Sequence, residues 1–186
     1  MQTELEDRFK EFVQARWPHL VRTAFLLTGD RHLAEDLTQT ALAKAYRSWR
    51  RVLRADSPEA YVRRILVSCN SDRFRRRRVP EALTASVPER ACREDEGERA
   101  DTRRALLAAL AALPARQRAV IVLRYWEDLS ESETAGTLGC SVGTVKSQAA
   151  KGLAKLRATP GLGEALDRAT ARTTTAPVGA GHGGER

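Results

Sequence analysis

The stretch 128–147, DLSESETAGTLGCSVGTVKS, pins two short helices and the sharp turn between them more tightly than any other part of this chain. Ser130 followed by Glu133 three residues later is a capping box, in which each residue satisfies a backbone N–H that the helix start leaves unpaired. Gly139 suits the left-handed position after Leu138, and Ser141 is placed to cap the next helix. Ala135 is small enough for a close helix crossing, with Leu138 and Val145 packing between the two helices. This pattern predicts a helix-turn-helix, whose second helix enters the major groove of duplex DNA. That helix, 141–157, carries Lys146, Lys151, Lys155 and Arg157 and no acidic residue. With Val145, Leu153 and Leu156 turned to the core, Ser141, Thr144, Lys146, Ser147, Gln148, Ala150 and Lys151 are the candidates to face DNA. Ser, Gln and Lys can bond base edges or phosphates, and Ala150 can sit against a thymine methyl. The bland alternative is a solvated basic helix ending a bundle. The capping box, the glycine turn and the absence of acids argue jointly against it.

The rest of the chain is compatible with a polyanionic partner. Its net charge is +8 and its pI about 10, a balance typical of nucleic-acid binding. Arg outnumbers Lys 27 to 5. This favours planar, bidentate phosphate contacts, although GC-rich coding produces the same bias. At 186 residues, 42% apolar but only 5% aromatic, the chain suits small helical units packed by Leu, Val and Ala. Cys69, Cys92 and Cys140 are far apart, and with only His19, His32 and His182 beside them no metal-site spacing arises. No metal, cofactor or small-molecule substrate is therefore expected. The charged start MQTELEDRFK lacks the apolar stretch of a signal peptide, and no run approaches the roughly 18 apolar residues of a membrane span. A soluble cytoplasmic protein without membrane insertion is expected.

Helical spacing dominates residues 7–78. Phe9, Phe12, Val13, Leu20, Val21 and Ala24 recur at three- and four-residue steps, with Pro18 expected to restart the helix. Thr28-Gly29-Asp30 ends one helix and caps another, which places Leu33, Leu37, Ala41 and Tyr46 near one face. Residues 50–56 read as a basic loop, and Ser57-Pro58 is a strong helix start. Residues 79–100, with Pro80, Pro88 and the run REDEGE, read as a flexible linker. Helical spacing resumes at Asp101 through Leu106, Leu107, Leu110 and Leu113. Residues 158–186 are expected to be a disordered tail, with at most a weak turn or two of helix over 162–168. No segment alternates as a strand does, so the fold predicted is all-α: two small helical domains, 7–78 and 101–157, joined by a linker.

Arginines crowd one loop and one helix of the first domain: Arg47, Arg50, Arg51, Arg54, Arg63, Arg64, Arg73, Arg75, Arg76, Arg77 and Arg78. Such density is costly unless phosphates or acids offset it. Trp49, Tyr61 and Phe74 lie among them, where an aromatic ring can stack an unpaired base or simply belong to the core. Asp36 and Gln39 form a polar spot on an otherwise apolar helix, which by itself reads as a solvated face as readily as a site.

The order of these segments resembles a known family. GDRHLAEDLTQTALAKAYRSW, then SPEAYVRRILVSC, then LPARQRAVIVLRYWEDLSESETAGTLGCSVGTVKSQAAKGLAKLR is similar to the extracytoplasmic function (ECF) sigma factors of the sigma-70 family, and most of all to their actinobacterial SigE-like group. The resemblance spans residues 9–157. It implies a dissociable, promoter-selecting subunit of bacterial RNA polymerase. The first domain would be sigma region 2, docking on core polymerase, the beta-prime and beta subunits, through Asp36, Leu37, Gln39 and Thr40. Its loop and following helix would melt and grip the −10 element through Trp49, Arg50, Arg54, Tyr61, Arg63, Arg64, Ser68, Arg73, Arg75 and Arg76. An extruded base explains alternating aromatics and arginines there. The second domain would be sigma region 4, reading the −35 element as duplex, with the linker passing near the polymerase active-site cleft and RNA exit path. An anti-sigma factor is a common partner in the family, and polymerase-bound protein would sit on the nucleoid. Two departures stand out: Ser68 where the family usually has Asn, which implies altered −10 specificity, and Arg73-Phe74 where relatives often carry two Trp. The tail after Arg157 is expected to be too short for the further C-terminal domain that some ECF groups carry.

Two other function classes fit less well. A stand-alone helix-turn-helix regulator needs a dimer interface or sensor domain that the sequence does not offer. An enzyme needs a paired-carboxylate site, a glycine-rich phosphate loop or a nucleophile with a base partner, and no such pattern stands out.

Overall fold

The computed structural model describes residues 2–76, 97–160 and 162–163, with the side chains of 2, 74–76 and 97–101 excepted. Among the described residues there are eight α-helices, one π-helical turn and no strand.

Helix α1, Gln2–Thr28, runs unbroken through Pro18, so the expected restart there is corrected. An interior proline forgoes a backbone hydrogen bond and costs about 3 kcal/mol. Packing on both sides outweighs it, because Phe9, Phe12 and Val13 before Pro18 join the same core as Leu20 and Ala24 after it. The helix ends as expected at Gly29, whose φ of 75° needs no Cβ. Asp30 then caps α2, Arg31–Arg47, by accepting from the Leu33 amide at 2.8 Å. This helix buries Ala34, Leu37, Thr38, Ala41, Leu42 and Ala45, the stripe expected of an amphipathic helix.

Residues 50–56 are not a loop throughout. Trp49 and Val52, three apart and both buried, pin a helical turn, α3, Trp49–Val52, to the core. The loop is confined to 53–57. Ser57 caps α4, Pro58–Arg76, its hydroxyl accepting from the Ala60 amide at 3.1 Å. One face of α4 gives Val62, Leu66 and Cys69 to the first core. The other presents Val67 to the second unit.

The second unit begins at α5, Gly97–Ala112, four residues ahead of the expected boundary. Residues 79–96 of the expected linker lie outside the described residues. Next come α6, Ala115–Ile121, the π-helical turn Val122–Trp126, α7, Glu131–Leu138, and α8, Val142–Arg157. Gly152 of α8 faces α6, where a Cβ would stand 2.9 Å from Ile121 Cγ1. Gly152 is thus a position of close approach that the sequence reading did not single out. Leu162 is buried beside Leu110, Leu113, Ile121 and Leu156. The unit therefore continues past the expected limit at 157, because a buried leucine is worth about 1.5–3 kcal/mol. The disorder expected beyond 163 concerns residues outside those described.

The two units pack on each other. Leu27 and Val67 of the first share a cluster with Ala119, Val122 and Leu123 of the second. Arg118, buried, donates from Nη1 to the Leu27 carbonyl at 3.1 Å and from Nη2 to the carbonyls of Leu113, at 3.0 Å, and Ala111. Those carbonyls belong to the last turns of α1 and α5 and to the residue after α5, where orphan acceptors and the helix dipoles favour a cation. Burial lowers the pKa of this guanidinium, but arginine keeps its charge in such sites.

Candidate nucleic-acid interface

Two short segments hold α8 at its angle. Ser130 and Glu133 form the capping box: the Glu133 amide donates to Ser130 Oγ at 3.2 Å and the Ser130 amide donates to Glu133 Oε2 at 2.8 Å. These bonds from Ser130 hold the Glu133 carboxyl below its ordinary pKa. Gly139 takes φ 64°, and Ser141 Oγ accepts from the Thr144 amide at 3.1 Å. Ala135, Val145 and Val120 form a buried cluster that Leu138 flanks, as the spacing predicted.

Of the residues expected to face DNA, Ser141, Lys146, Ser147, Ala150 and Lys151 are exposed, while Thr144 and Gln148 are half-buried. Both hydroxyls at the start of the helix are engaged in the cap, Ser141 Oγ and Thr144 Oγ1 standing 2.9 Å apart. Lys146 reaches Glu131 of α7 at 3.5 Å, an exposed pair of the kind worth less than about 1 kcal/mol.

In the first unit, α2, α3 and α4 enclose an open cleft of about 420 Å³ lined by Lys44, Ser48, Arg51, Tyr61, Arg64, Ile65 and Ser68. Three of the expected −10 residues, Tyr61, Arg64 and Ser68, come together here. Lys44, Ser48, Arg51 and Ile65 were not singled out for it. Lys44 and Ser48 are one helical turn apart, and Arg51 belongs to the arginine run, so spacing alone could have suggested them. A second open cleft, of about 440 Å³, lies between α1 and α3 and the loop after it. Arg50 and Arg54 line it with Glu4, Leu5, Arg8 and Leu53.

Three expected site residues are placed otherwise. Trp49 is 4% exposed and sits edge-on against Phe9, 5.1 Å between centroids, and 5.2 Å from Phe12. It is a core residue because α1 lays two aromatic rings over it. Leu37 is likewise buried, whereas Asp36, Gln39 and Thr40 are exposed on the outer side of α2. A period of 3.6 residues cannot turn 36, 37, 39 and 40 the same way. Arg63 is largely covered, its Nε donating to Glu127 Oε2 at 2.7 Å. Arg73 is half-buried and has a partner within the fold. Arg75 and Arg76 lie in the last turns of α4, their side chains outside the described residues.

Among the described residues no His, Cys, Asp and Glu group could hold a metal, and no helix is long and apolar enough to cross a membrane.

An all-α chain pairing a capped helix-turn-helix with a basic, cleft-bearing helical unit belongs to the class of DNA-binding transcription proteins. Residues 12–79 match the sigma-70 region 2 family and residues 103–156 match sigma-70 region 4. The chain is 40% identical over 149 residues to the RNA polymerase sigma-E factor of Streptomyces coelicolor, covering 80% of this chain and 84% of that one. It is 34% identical to the ECF RNA polymerase sigma factor SigE of Mycolicibacterium smegmatis, covering 79% of this chain and 59% of that protein. Among solved structures it superposes on the sigma factor RpoE of Bartonella quintana, in complex with the anti-sigma factor NepR, with a TM-score of 0.65. The identity there is 25%, covering 81% of this chain and 94% of that one. The chain belongs to the sigma-70 family, in its extracytoplasmic function branch, and is an RNA polymerase sigma factor. A stand-alone helix-turn-helix regulator accounts only for the second match, so the match to region 2 disfavours it.

Proposed function

We propose a division of labour within this sigma factor, carried above all by the exposed, acid-free face of α8. That face, with Ser141, Lys146, Ser147, Ala150 and Lys151 outward and Thr144 and Gln148 at its edge, reads the −35 element as duplex. Phosphate contacts set the register and base-edge contacts the sequence. The cleft between α2 and α4 receives an extruded base of the −10 element. Tyr61 offers a ring face, Ser68 a short hydrogen-bonding group, and Lys44, Arg51 and Arg64 charge for the adjoining phosphates. Arg50 and Arg54 extend the basic track to the second cleft.

Asp36, Gln39 and Thr40 dock on core polymerase, at the beta-prime coiled coil, with Leu37 beneath them as support for the helix. The beta subunit completes the contact with the polymerase. Work of this kind, beside polymerase on DNA, places the protein in the cytoplasm and on the nucleoid, as an initiation subunit rather than an enzyme. The likeness to a sigma factor solved with NepR supports an anti-sigma partner for this chain also.

The test is run-off transcription from candidate promoters with sigma-free core polymerase. Initiation and core binding are expected with the wild-type chain. The double substitution Asp36→Ala, Gln39→Ala should weaken core binding while leaving duplex affinity unchanged. Loss of duplex affinity instead would overturn the division of labour.

A further inference from the structure

We infer that the cleft between the first turns of α1 and α3 is a second nucleotide subsite for single-stranded promoter DNA. Arg8 joins Arg50 and Arg54 on a phosphate there, while Leu5 and Leu53 carry the face of the base. This rests on the proposed grip of the −10 strand by the α2–α4 cleft and extends it across α3. The match to region 2 begins at residue 12, so Glu4, Leu5 and Arg8 lie ahead of the segment that it accounts for.

Charge is the first indication. Arg8, Arg50 and Arg54 are exposed around one open cleft of about 440 Å³. None of the three is ion-paired among the described residues. Other cations of the same unit are offset: Lys10 stands 3.4 Å from Asp7, Arg16 3.0 Å from Glu59 and Lys44 4.0 Å from Asp72. Glu4 also lines the cleft, one helical turn from Arg8, but a single carboxylate leaves positive charge in excess. Cations gathered in this way repel one another. A phosphate relieves the repulsion and suits the planar fork of a guanidinium.

The floor of the cleft is apolar. Leu5 and Leu53 are half-buried, pack against the first core and still line the opening. A bare inorganic anion gains nothing from such a floor, whereas a base laid on it loses apolar contact with water. Phosphate donors beside an apolar platform are the two parts of a single-strand site.

Position joins this cleft to the first. The turn begun by α3 continues to Arg54, whose amide donates to the Arg51 carbonyl at 3.2 Å. Helical spacing gives that turn three faces. Trp49 and Val52 enter the core, Ser48 and Arg51 line the α2–α4 cleft, and Arg50, Leu53 and Arg54 line the other. The two clefts are therefore neighbours across a body about 10–12 Å wide. A strand with a base in each spans about three nucleotides at a stacked rise of about 3.4 Å. Phe9 fixes the far wall: its ring lies 4.9 Å from Tyr46 and 5.1 Å from Trp49 between centroids, which holds the start of α1 against α2 and α3.

The full-length chain is titrated into a fluorescently labelled, mixed-sequence single-stranded 12-mer and into an equally long strand of abasic sugar-phosphate units, with anisotropy read across a salt series. Arg8→Ala should weaken binding to both strands at least about threefold and lower the salt slope by about 0.7, the value of one single-strand phosphate contact. Lys10→Ala removes the same charge from the same helix outside the cleft, and screening should keep its effect within about 1.5-fold. Leu5→Ala should weaken binding to the base-bearing strand at least about twofold and leave the abasic strand unchanged. An Arg8→Ala effect no larger than that of Lys10→Ala overturns the subsite, because general charge then accounts for it. Equal losses on the two strands for Leu5→Ala overturn the seating of a base. A labelled nucleoside triphosphate should bind more weakly than the 12-mer, and tighter binding would make a free nucleotide the occupant and sink the inference. Arg64→Ala, in the α2–α4 cleft, separates the two possible failures. Loss there with none at Arg8 defeats the second subsite and leaves the proposed strand grip standing, whereas no loss at either position defeats both.

Discussion

Replacing Arg118 with Met removes a buried cation from the meeting point of two helix ends while keeping most of the aliphatic volume. Its guanidinium serves the carbonyls of Leu27, Ala111 and Leu113, and hydrogen bonds involving a charged group are worth about 1.5–3 kcal/mol each. Three such bonds give an upper bound of about 5–9 kcal/mol. Two terms reduce it. Removing the cation recovers its desolvation cost, and among the described residues Arg118 Nε is buried without an acceptor, so the native site is already one bond short there. A net loss of about 3 kcal/mol is expected, and Arg118→Lys, a point charge unable to span three carbonyls, should fall between. At about 2–4 °C per kcal/mol for a chain of this size, Arg118→Met should melt about 6–12 °C lower. Urea unfolding followed by circular dichroism measures the free energy directly. A loss under about 1 kcal/mol for Arg118→Met would refute the reasoning, since it would mean that water satisfies those carbonyls as well as arginine does.

At Gly152, alanine gains about 1 kcal/mol of helix propensity but meets Ile121 Cγ1 at 2.9 Å, an overpacking that costs about 1–3 kcal/mol. Gly152→Ala should therefore lower the urea midpoint, and a raised midpoint would disprove the close approach. Ser130→Ala should cost about 1 kcal/mol at neutral pH. Because the Glu133 carboxyl titrates lower folded than unfolded, its share of the cap is present above the ordinary carboxylate pKa. That share is lost as pH falls through the depressed folded value. The stability gap between wild type and Ser130→Ala should accordingly narrow on acidification, and a gap that widens would contradict it. Trp49→Phe should destabilise the chain by about 1–2 kcal/mol through lost core volume. It should leave single-strand affinity within about twofold, whereas loss of a base-stacking ring costs about 1–3 kcal/mol of binding.

Both helix starts flanking the turn at Gly139 were legible residue by residue, as were the Gly29-Asp30 break and the Ser57 cap. Each depends on a side chain and an amide within a few positions of one another. The proposed docking face was half legible: helical spacing distinguishes Asp36 and Gln39 from Leu37, but reading the four residues as one cluster set that spacing aside. The α2–α4 cleft was legible as chemistry and not as shape. Tyr61, Arg64 and Ser68 were expected to work together, while Lys44 and Ser48 join them only because α2 lies beside α4.

What the sequence determined by itself is therefore local: helices and their caps and the left-handed glycines, set by partners a few residues apart, and the acid-free composition of α8. Tertiary structure alone decided which of these residues remain available. Trp49 went inside because Phe9 and Phe12, some forty positions earlier, cover it, and Pro18 was absorbed because core lies on both sides of it. Arg63 was drawn from an open basic face into a bond with Glu127, a residue of the other unit. Burial is a property of whatever packs from a distance, and neither spacing nor composition records it.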